Sequence, residues 1–584
     1  MGRARPGLRC GARRRRAGST REPAAVRDRW RRHPARRDLA RQPPRRRRAL
    51  TSPTDIQAFI SSFEERVAPV EKTVAEAWWN LAITGSEEAQ QALVSAGTAY
   101  NRLFADREEQ EKVAAWYEER ESLDDELLRR QVDVLYRTFA ARRGDAGGMD
   151  RIEELEAEAN AVYGNHRGTV GGRPVGENEV RDILRTSPDE AVRREAWEAF
   201  KTVGREVEGT VRELARLRNR LARGAGYPDH YHRSLDLQEM PVADLEDLMS
   251  DLQAATDAPF RELKERLDRD LLKEFGGEAV RPWLLSDPFF QEPPEDGSLN
   301  TDRFFEGRDL EALMRETYDA LGLDVRGVVA KSDLYARPGK NQHAFCLSVG
   351  RDYPYDVRVL ANLRAGRPDA YWMNTMLHEF GHAVYDRHVN PKLPYLLRGV
   401  SHIATTEAIA LMMGSLAEEP GWLRAVAGVP EEDLAGEHEQ LLARRREELL
   451  VFTRWALVVF RFEKELYADP DRSDLNSVWW DLVEGLQLVE RPPGRDEPDW
   501  AAKIHVATAP VYYHNYVLGN LIAAQLRNYL EENITRGPFY ENEVAGRYLL
   551  ESFFGPGARE NWRDTVLRAT GEPLDPRHLV ESLR

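Results

Sequence analysis

The sequence predicts a mainly α-helical protein with one small β-sheet beside a central helix. Three observations lead there. Long amphipathic runs with few breakers, rich in Glu, Ala, Leu and Gln, begin at Asp55 and continue through Arg143. Only two short stretches have strand character, HAFCLSV (His343 to Val349) and DVRVLANL (Asp356 to Leu363), and both fall just before the helical run YWMNTMLHEFGHAVYD. No repeat of 20 to 50 residues is present, which argues against a solenoid. At 584 residues with 41% apolar side chains, the chain has ample material for a core and suits two to four units or one large helical body.

In chain order, the helices of residues 55 to 143 stop at GDAGG (Gly144 to Gly148), a breaker cluster. A further helix, RIEELEAEANAVY, runs to a glycine-rich turn. In TSPDEAVRREAWEAF, Ser187 and Glu190 have the spacing of a capping box, which predicts a helix start there. Helix continues through LRNRLARGAGY, and PVADLEDLMSDLQAAT opens a new one with Pro241 near its N-terminus. Residues Trp283 to Thr301, dense in Pro, Asp and Gly, predict irregular loop. The two strands follow, and helices dominate to the end.

Charge divides the chain. Residues 1 to 50 hold 19 Arg, no Lys and three acids, a net +16 that leaves −31 for the rest of a chain whose total is −15. This Arg-rich leader lacks the apolar surface to offset its ordering entropy and is expected to be disordered. It reads as a gene-start artefact, with a targeting or binding arm and an inert tail as alternatives, and the folded protein is expected to begin near Leu50 or Thr51. The acidic body argues against nucleic acid as the main partner. No apolar segment resembles a signal peptide, and the greasiest stretch, Leu449 to Phe462, is interrupted by Arg454 and Arg461, so no membrane span is expected. Cys10 and Cys346 supply no disulfide framework, and a cytoplasmic location is the simplest expectation.

The chemistry concentrates in HEFGH. A four-residue step on a helix puts His378 and His382 on one face, one turn apart, where both imidazoles can address a single tetrahedral ion. Glu379 lies one residue further round, placed to reach water rather than to ligate. Met376, Leu377, Phe380, Ala383 and Val384 can pack the helix, and Gly381 allows another element to approach closely. Three fixed residues recur by chance in about one chain in ten or twenty of this length, so a third ligand is needed. SHIATTEAIALMMGSLAEE offers Glu407, a carboxylate on an otherwise apolar helix face with Ile403 and Leu411, where burial is costly unless the charge is paired or bound to metal. Ala410 and Gly414 are small enough for close helix contact. The alternatives are a Glu407 that faces solvent or bridges an arginine, and His402 as ligand in its place.

Two histidines and a carboxylate leave a fourth position for water, with Glu379 as the base that takes its proton. A tetrahedral oxyanion then needs further donors. KIHVATAPVYYHNYVLGN concentrates His505, Tyr512, Tyr513, His514 and Tyr516, and Tyr513 and Tyr516 can point into one cavity if the chain turns helical after Pro510. The bland alternative is an aromatic-packed helix with satisfied hydroxyls.

HEFGH, the downstream Glu407 and YYHNYVLG together resemble the helical zinc oligopeptidases of the thimet-oligopeptidase and oligopeptidase F group. TGSEEAQ at Thr84 to Gln90, ANAVYGNHRG, the His343-Ala344 pair and KIH at Lys503 to His505 are similar to angiotensin-converting enzyme and its bacterial peptidyl-dipeptidase relatives. The likeness extends from about residue 52 to the end. It implies a two-lobed, mainly α metallopeptidase with a deep central channel, residues 51 to 584 forming the zinc peptidase unit with a helical lid near 52 to 150. It implies one Zn2+ per chain held by His378, His382 and Glu407, with Glu379 as base and proton shuttle, His505 and Tyr516 stabilising the tetrahedral intermediate, and Tyr513 touching substrate. Backbone at His343 and Ala344 would hold an extended peptide, and Lys503 matches a lysine that receives the peptide's terminal carboxylate. An extra residue lies between His505 and the tyrosines, and Asn515 stands where the converting enzymes have a chloride-linked arginine, so chloride activation by that route is not expected. The YY-x-x-Y-x-x-G pattern is nearer to oligopeptidase F, which would cut internally. The expected partners are short unfolded peptides; a carboxypeptidase removing single C-terminal residues and a non-catalytic peptide-binding protein are the other readings.

Overall fold

The computed structural model describes residues 52–143, 146–294, 299–364, 366–434 and 436–583. The expected Arg-rich leader, residues 1–50, lies outside them, as do Cys10, Gly144 and Asp145. Thr51–Arg584 form one compact unit, mainly helical with a small mixed sheet. Among the described residues no helix is long and apolar enough to cross a membrane.

The chain opens with α1 (Pro53–Thr84), α2 (Glu87–Arg102), α3 (Arg107–Glu119) and α4 (Glu126–Ala141). Their starts follow local chemistry. Ser52 and Asp55 form a reciprocal capping box at α1, while Ser86, Asp106 and Asp125 each accept backbone N–H groups at the next three. Each such cap contributes about 1 kcal/mol. Phe63, Phe104, Trp116, Val132, Leu135 and Phe139 fill the core these helices share. The Phe104 ring packs at 5.7 Å from Phe63 and 5.2 Å from Phe139. Burying each such ring stabilises the fold by roughly 1.5–3 kcal/mol.

The capping box expected at Ser187 and Glu190 is not formed. Helix Glu190–Gly224 is capped by Asp189, whose Oδ1 accepts from Ala191 N at 2.8 Å and Val192 N at 3.4 Å. A carboxylate next to the first turn also meets the positive end of the helix dipole. Glu190 is drawn away, accepting from Trp283 Nε1 at 3.0 Å, so it cannot close a box. The start expected at Pro241 is observed, with helix Val242–Phe275 following it.

Five short strands are present among the described residues. β1 (Gly168–Val170) and β2 (Arg173–Val175) form an antiparallel hairpin inside the expected glycine-rich turn, with Gly171 and Gly172 both at positive φ. The two predicted strands are β4 (Phe345–Ser348) and β5 (Val357–Leu363), antiparallel in the register Phe345↔Leu360 to Ser348↔Val357. A third strand, β3 (Asp333–Tyr335), joins β5 in parallel, giving the order β3-β5-β4. β5 is therefore central and largely buried, and β4 is an edge. The predicted loop at Trp283–Thr301 is irregular apart from short 3-10 turns at Pro282–Leu284 and Thr301–Phe305, with residues 295–298 outside the described set.

The sheet positions the next helix, Ala370–Arg387, which carries HEFGH. Asp369 caps it by accepting from Trp372 N at 2.8 Å, and Asp302 accepts from Ala370 N at 3.0 Å. Ser348 of β4 donates to Asp386 at 2.6 Å, tying the edge strand to the last turn of the helix.

Candidate metal centre and substrate cavity

The second element of the centre is helix Ile403–Gly414, buried on nearly every side. It crosses Ala370–Arg387 at close range because Gly381 has no side chain. A Cβ there would sit 2.8 Å from Ala410 Cα and 3.2 Å from Ile409 O. Helix His514–Tyr529 packs on the opposite side, where a Cβ on Gly519 would lie 2.9 Å from Glu407 Cγ. Glu407 is thus enclosed between two helices, 8% exposed, and no arginine pairs with it among the described residues.

This packing brings the three predicted ligands together. Glu407 Oε1 lies 3.7 Å from His378 Nε2, and its Oε2 lies 3.5 Å from His382 Nε2. One ligand atom from each residue falls within 4.8 Å of the others. Ligands about 2.0–2.1 Å from a tetrahedral zinc are separated by roughly 3.4 Å, so the site fits the ion with small adjustments. The charge states fit as well. Burial lowers His378 to about 4 and His382 to about 3, helped at His382 by the His378 charge, so both imidazoles are neutral near pH 7 and offer lone pairs. These contacts are consequently not ion pairs. Burial raises Glu407 to about 7, the mark of a carboxylate that lacks a cation.

Thr406 completes the set. Its Oγ1 is 2.8 Å from His382 Nδ1, and with Nδ1–H donating to this hydroxyl Nε2 is left free for metal. His402, the competing ligand, is instead the N-cap of its helix, with Nδ1 accepting from Ala404 N at 3.0 Å. Glu379 is 9% exposed. Burial and then the Glu407 charge push it up to about 8, while a backbone hydrogen bond from Cys346 of β4 pulls the other way. A bound dication would lower it further.

A cavity of about 1290 Å³ opens on this centre, with His378, Glu407, Lys503, His505, Tyr513 and Tyr516 in its wall. His505 sits in the short helix Ile504–Thr508, its ring 5.2 Å from that of Tyr513, which lies 5.5 Å from that of Tyr516. The chain does turn helical after Pro510, at His514, and both tyrosines reach the cavity. Burial, then the Lys503 charge, holds His505 at about 4, and its buried Nδ1 has no partner among the described residues. Lys503 Nζ donates to Gln291 Oε1 at 2.6 Å and lies 5.4 to 5.6 Å from the rings of Trp455, Phe289 and Tyr513. Burial lowers it to about 8.

His343 and Ala344 precede β4, with His343 exposed and its N–H given to Asn341 Oδ1. They are not among the residues that line the cavity. Asn515 donates to Gln238 Oε1 at 3.0 Å. Sequence reasoning did not single out Thr406, Gln291 or Gln238. Thr406 alone carried a local signal, as a hydroxyl beside the ligand Glu407.

A family model for peptidase M2, angiotensin-converting enzyme, matches residues 50–266 and 334–581, more than half of the chain. Comparison with curated proteins finds no match. Together with the metal triad, the match establishes a zinc peptidase.

Proposed function

From the premise that this chain belongs to the angiotensin-converting enzyme family of peptidases, we propose that it removes dipeptides from the free C-termini of short, unfolded peptides. The observation that carries this reading is Lys503, a cation held beside Gln291 and three aromatic rings in the wall of the cavity that contains the metal ligands. A buried ammonium suits a carboxylate, and a carboxylate fixed at that point sets how far from the chain end the cut falls.

His378, His382 and Glu407 would hold zinc, which when bound would supply Lewis acidity at the scissile carbonyl. Glu379 takes a proton from the attacking water and delivers it to the leaving amine. His505, neutral near pH 7, and Tyr516 donate to the carbonyl oxygen as it gains charge. Tyr513 and Lys503 hold the peptide's terminal carboxylate. The backbone at His343 and Ala344, continuing into the edge strand β4, pairs with the extended peptide, which accords with β4 having a strand on one side only. A two-lobed body around a deep channel, with α1 to α4 as a lid, would admit peptides and exclude folded proteins.

Mass spectrometry of the products from one decapeptide, with free and with amidated C-terminus, tests the cleavage mode. Loss of C-terminal pairs from the free peptide alone is expected. Internal cuts in both forms, or loss of single residues, would overturn the proposal.

A further inference from the structure

The five residues between the helix of His505 and the helix of Tyr516 contain a backbone conformation that needs outside support. Val511 has a φ of 54°, in the left-handed region that β-branched residues rarely occupy. Two side chains from distant parts of the chain hold it there. Glu463, on helix His438–Ala468 and 2% exposed, accepts Val511 N–H through Oε1 at 2.7 Å. Gln238 donates Nε2–H to Val511 O at 3.2 Å. The same amide's Oε1 accepts from Asn515 Nδ2 at 3.0 Å and lies 3.0 Å from His514 Nε2. Both backbone polar groups of Val511 are therefore met by side chains, and the first turn of the next helix is fastened to one of them. Tyr512 and Tyr513 follow Val511 directly, and Tyr516 is one turn on.

Glu463 is not in the cavity wall and cannot touch substrate. Burial pushes its carboxyl up to about 8, the cost of enclosing such a group, which an apolar side chain of similar size would avoid. Its contribution must lie in the bond it makes. We infer that Glu463, with Gln238, is a positioning residue that fixes the left-handed turn at Val511 and so aims Tyr513 and Tyr516 into the cavity. The inference rests on the role given above to Tyr516.

The test compares kcat, KM and zinc content of the full-length zinc enzyme with those of Glu463→Leu, Glu463→Gln, Tyr516→Phe and their combinations. Glu463→Leu should lower kcat about ten- to a hundredfold through Tyr516 and raise KM through Tyr513, with zinc little changed, because one tyrosine stabilises the transition state and the other holds the peptide end. Glu463→Gln, which keeps an acceptor oxygen, should retain most of the activity. Adding Val511→Gly to Glu463→Leu should recover much of the loss, since glycine adopts the turn unaided. Glu463→Leu should lower kcat no further in the Tyr516→Phe background. Normal kcat in Glu463→Leu, or an equal loss of kcat in wild-type and Tyr516→Phe backgrounds, would overturn the inference. If Tyr516→Phe itself keeps full kcat, the oxyanion role of the tyrosine falls, and the clamp stands or falls on the recovery by Val511→Gly. Should Glu463→Leu fail to fold, Gln238→Leu removes the second tie and is read by the same comparisons.

Discussion

The hydroxyl of Thr406 lies 2.8 Å from Nδ1 of His382, so the residue beside one metal ligand holds the ring of another. Thr406→Val keeps the shape and removes the hydroxyl. Zinc affinity should fall about 10- to 100-fold. Competition with a chelator of known affinity measures it, and an unchanged dissociation constant would show that the contact does not orient the imidazole.

Glu379→Gln should leave zinc bound, because Glu379 is not among the three ligands, while hydrolysis drops by about 10²- to 10⁴-fold. The measurement is kcat on a fluorogenic peptide alongside metal analysis. Full activity at normal zinc content would remove Glu379 from its role as base.

Gly381→Ala puts a methyl group 2.8 Å from Ala410 Cα, against backbone that cannot turn aside. The two ligand-bearing helices must separate, at a cost of about 1–3 kcal/mol. A lowered Tm and substoichiometric zinc are expected together. A variant with wild-type Tm and one zinc per chain would contradict the close crossing.

Metal removal should expose a pH dependence. Without zinc, Glu379 and Glu407 have folded values of about 8 and about 7, above the usual carboxylate range. A raised carboxyl contributes stability below its unfolded value and loses it as pH rises through the folded one. His378 and His382, lowered to about 4 and about 3, act oppositely, but only below about pH 6.5. Between pH 6.5 and 8 only the two carboxyls of these four groups act, and other buried groups such as Glu463 are common to both forms, so the chelated protein should lose Tm faster than the zinc form and the gap between them should widen. A gap that narrows over this window would refute the assignment of the buried charge.

Lys503→Met should raise KM for a peptide with a free C-terminus by tenfold or more and leave the amidated peptide unaffected, since about 1.5–3 kcal/mol attaches to a charge-assisted bond. Equal effects on both substrates would take the carboxylate away from Lys503.

The metal triad was legible because its signals are local. Histidines four apart on a helix share a face whatever surrounds them, and Glu407 stood out as a carboxylate in a run of apolar side chains. Strands β4 and β5 were legible from composition. β3, with three residues, was not, since Asp333–Tyr335 gains its strand character only from pairing with β5. The β1–β2 hairpin hid behind Pro174, which discourages a strand but is tolerated in a two-stranded ribbon. Gln291 and Gln238 meet Lys503 and Val511 across more than 200 positions of chain, and no spacing rule reaches that far. The cap of helix Glu190–Gly224 went to Asp189 rather than Ser187 because a tryptophan 93 positions away claimed Glu190.

The edge position of β4, where the peptide is proposed to pair, bears on how choosy the enzyme can be. Main-chain groups are the same in every peptide, so a grip along that edge is indifferent to which amino acids pass through. Discrimination would then fall to the end of the chain and its length, the behaviour of a scavenger that trims mixed fragments rather than of a processor that waits for one message.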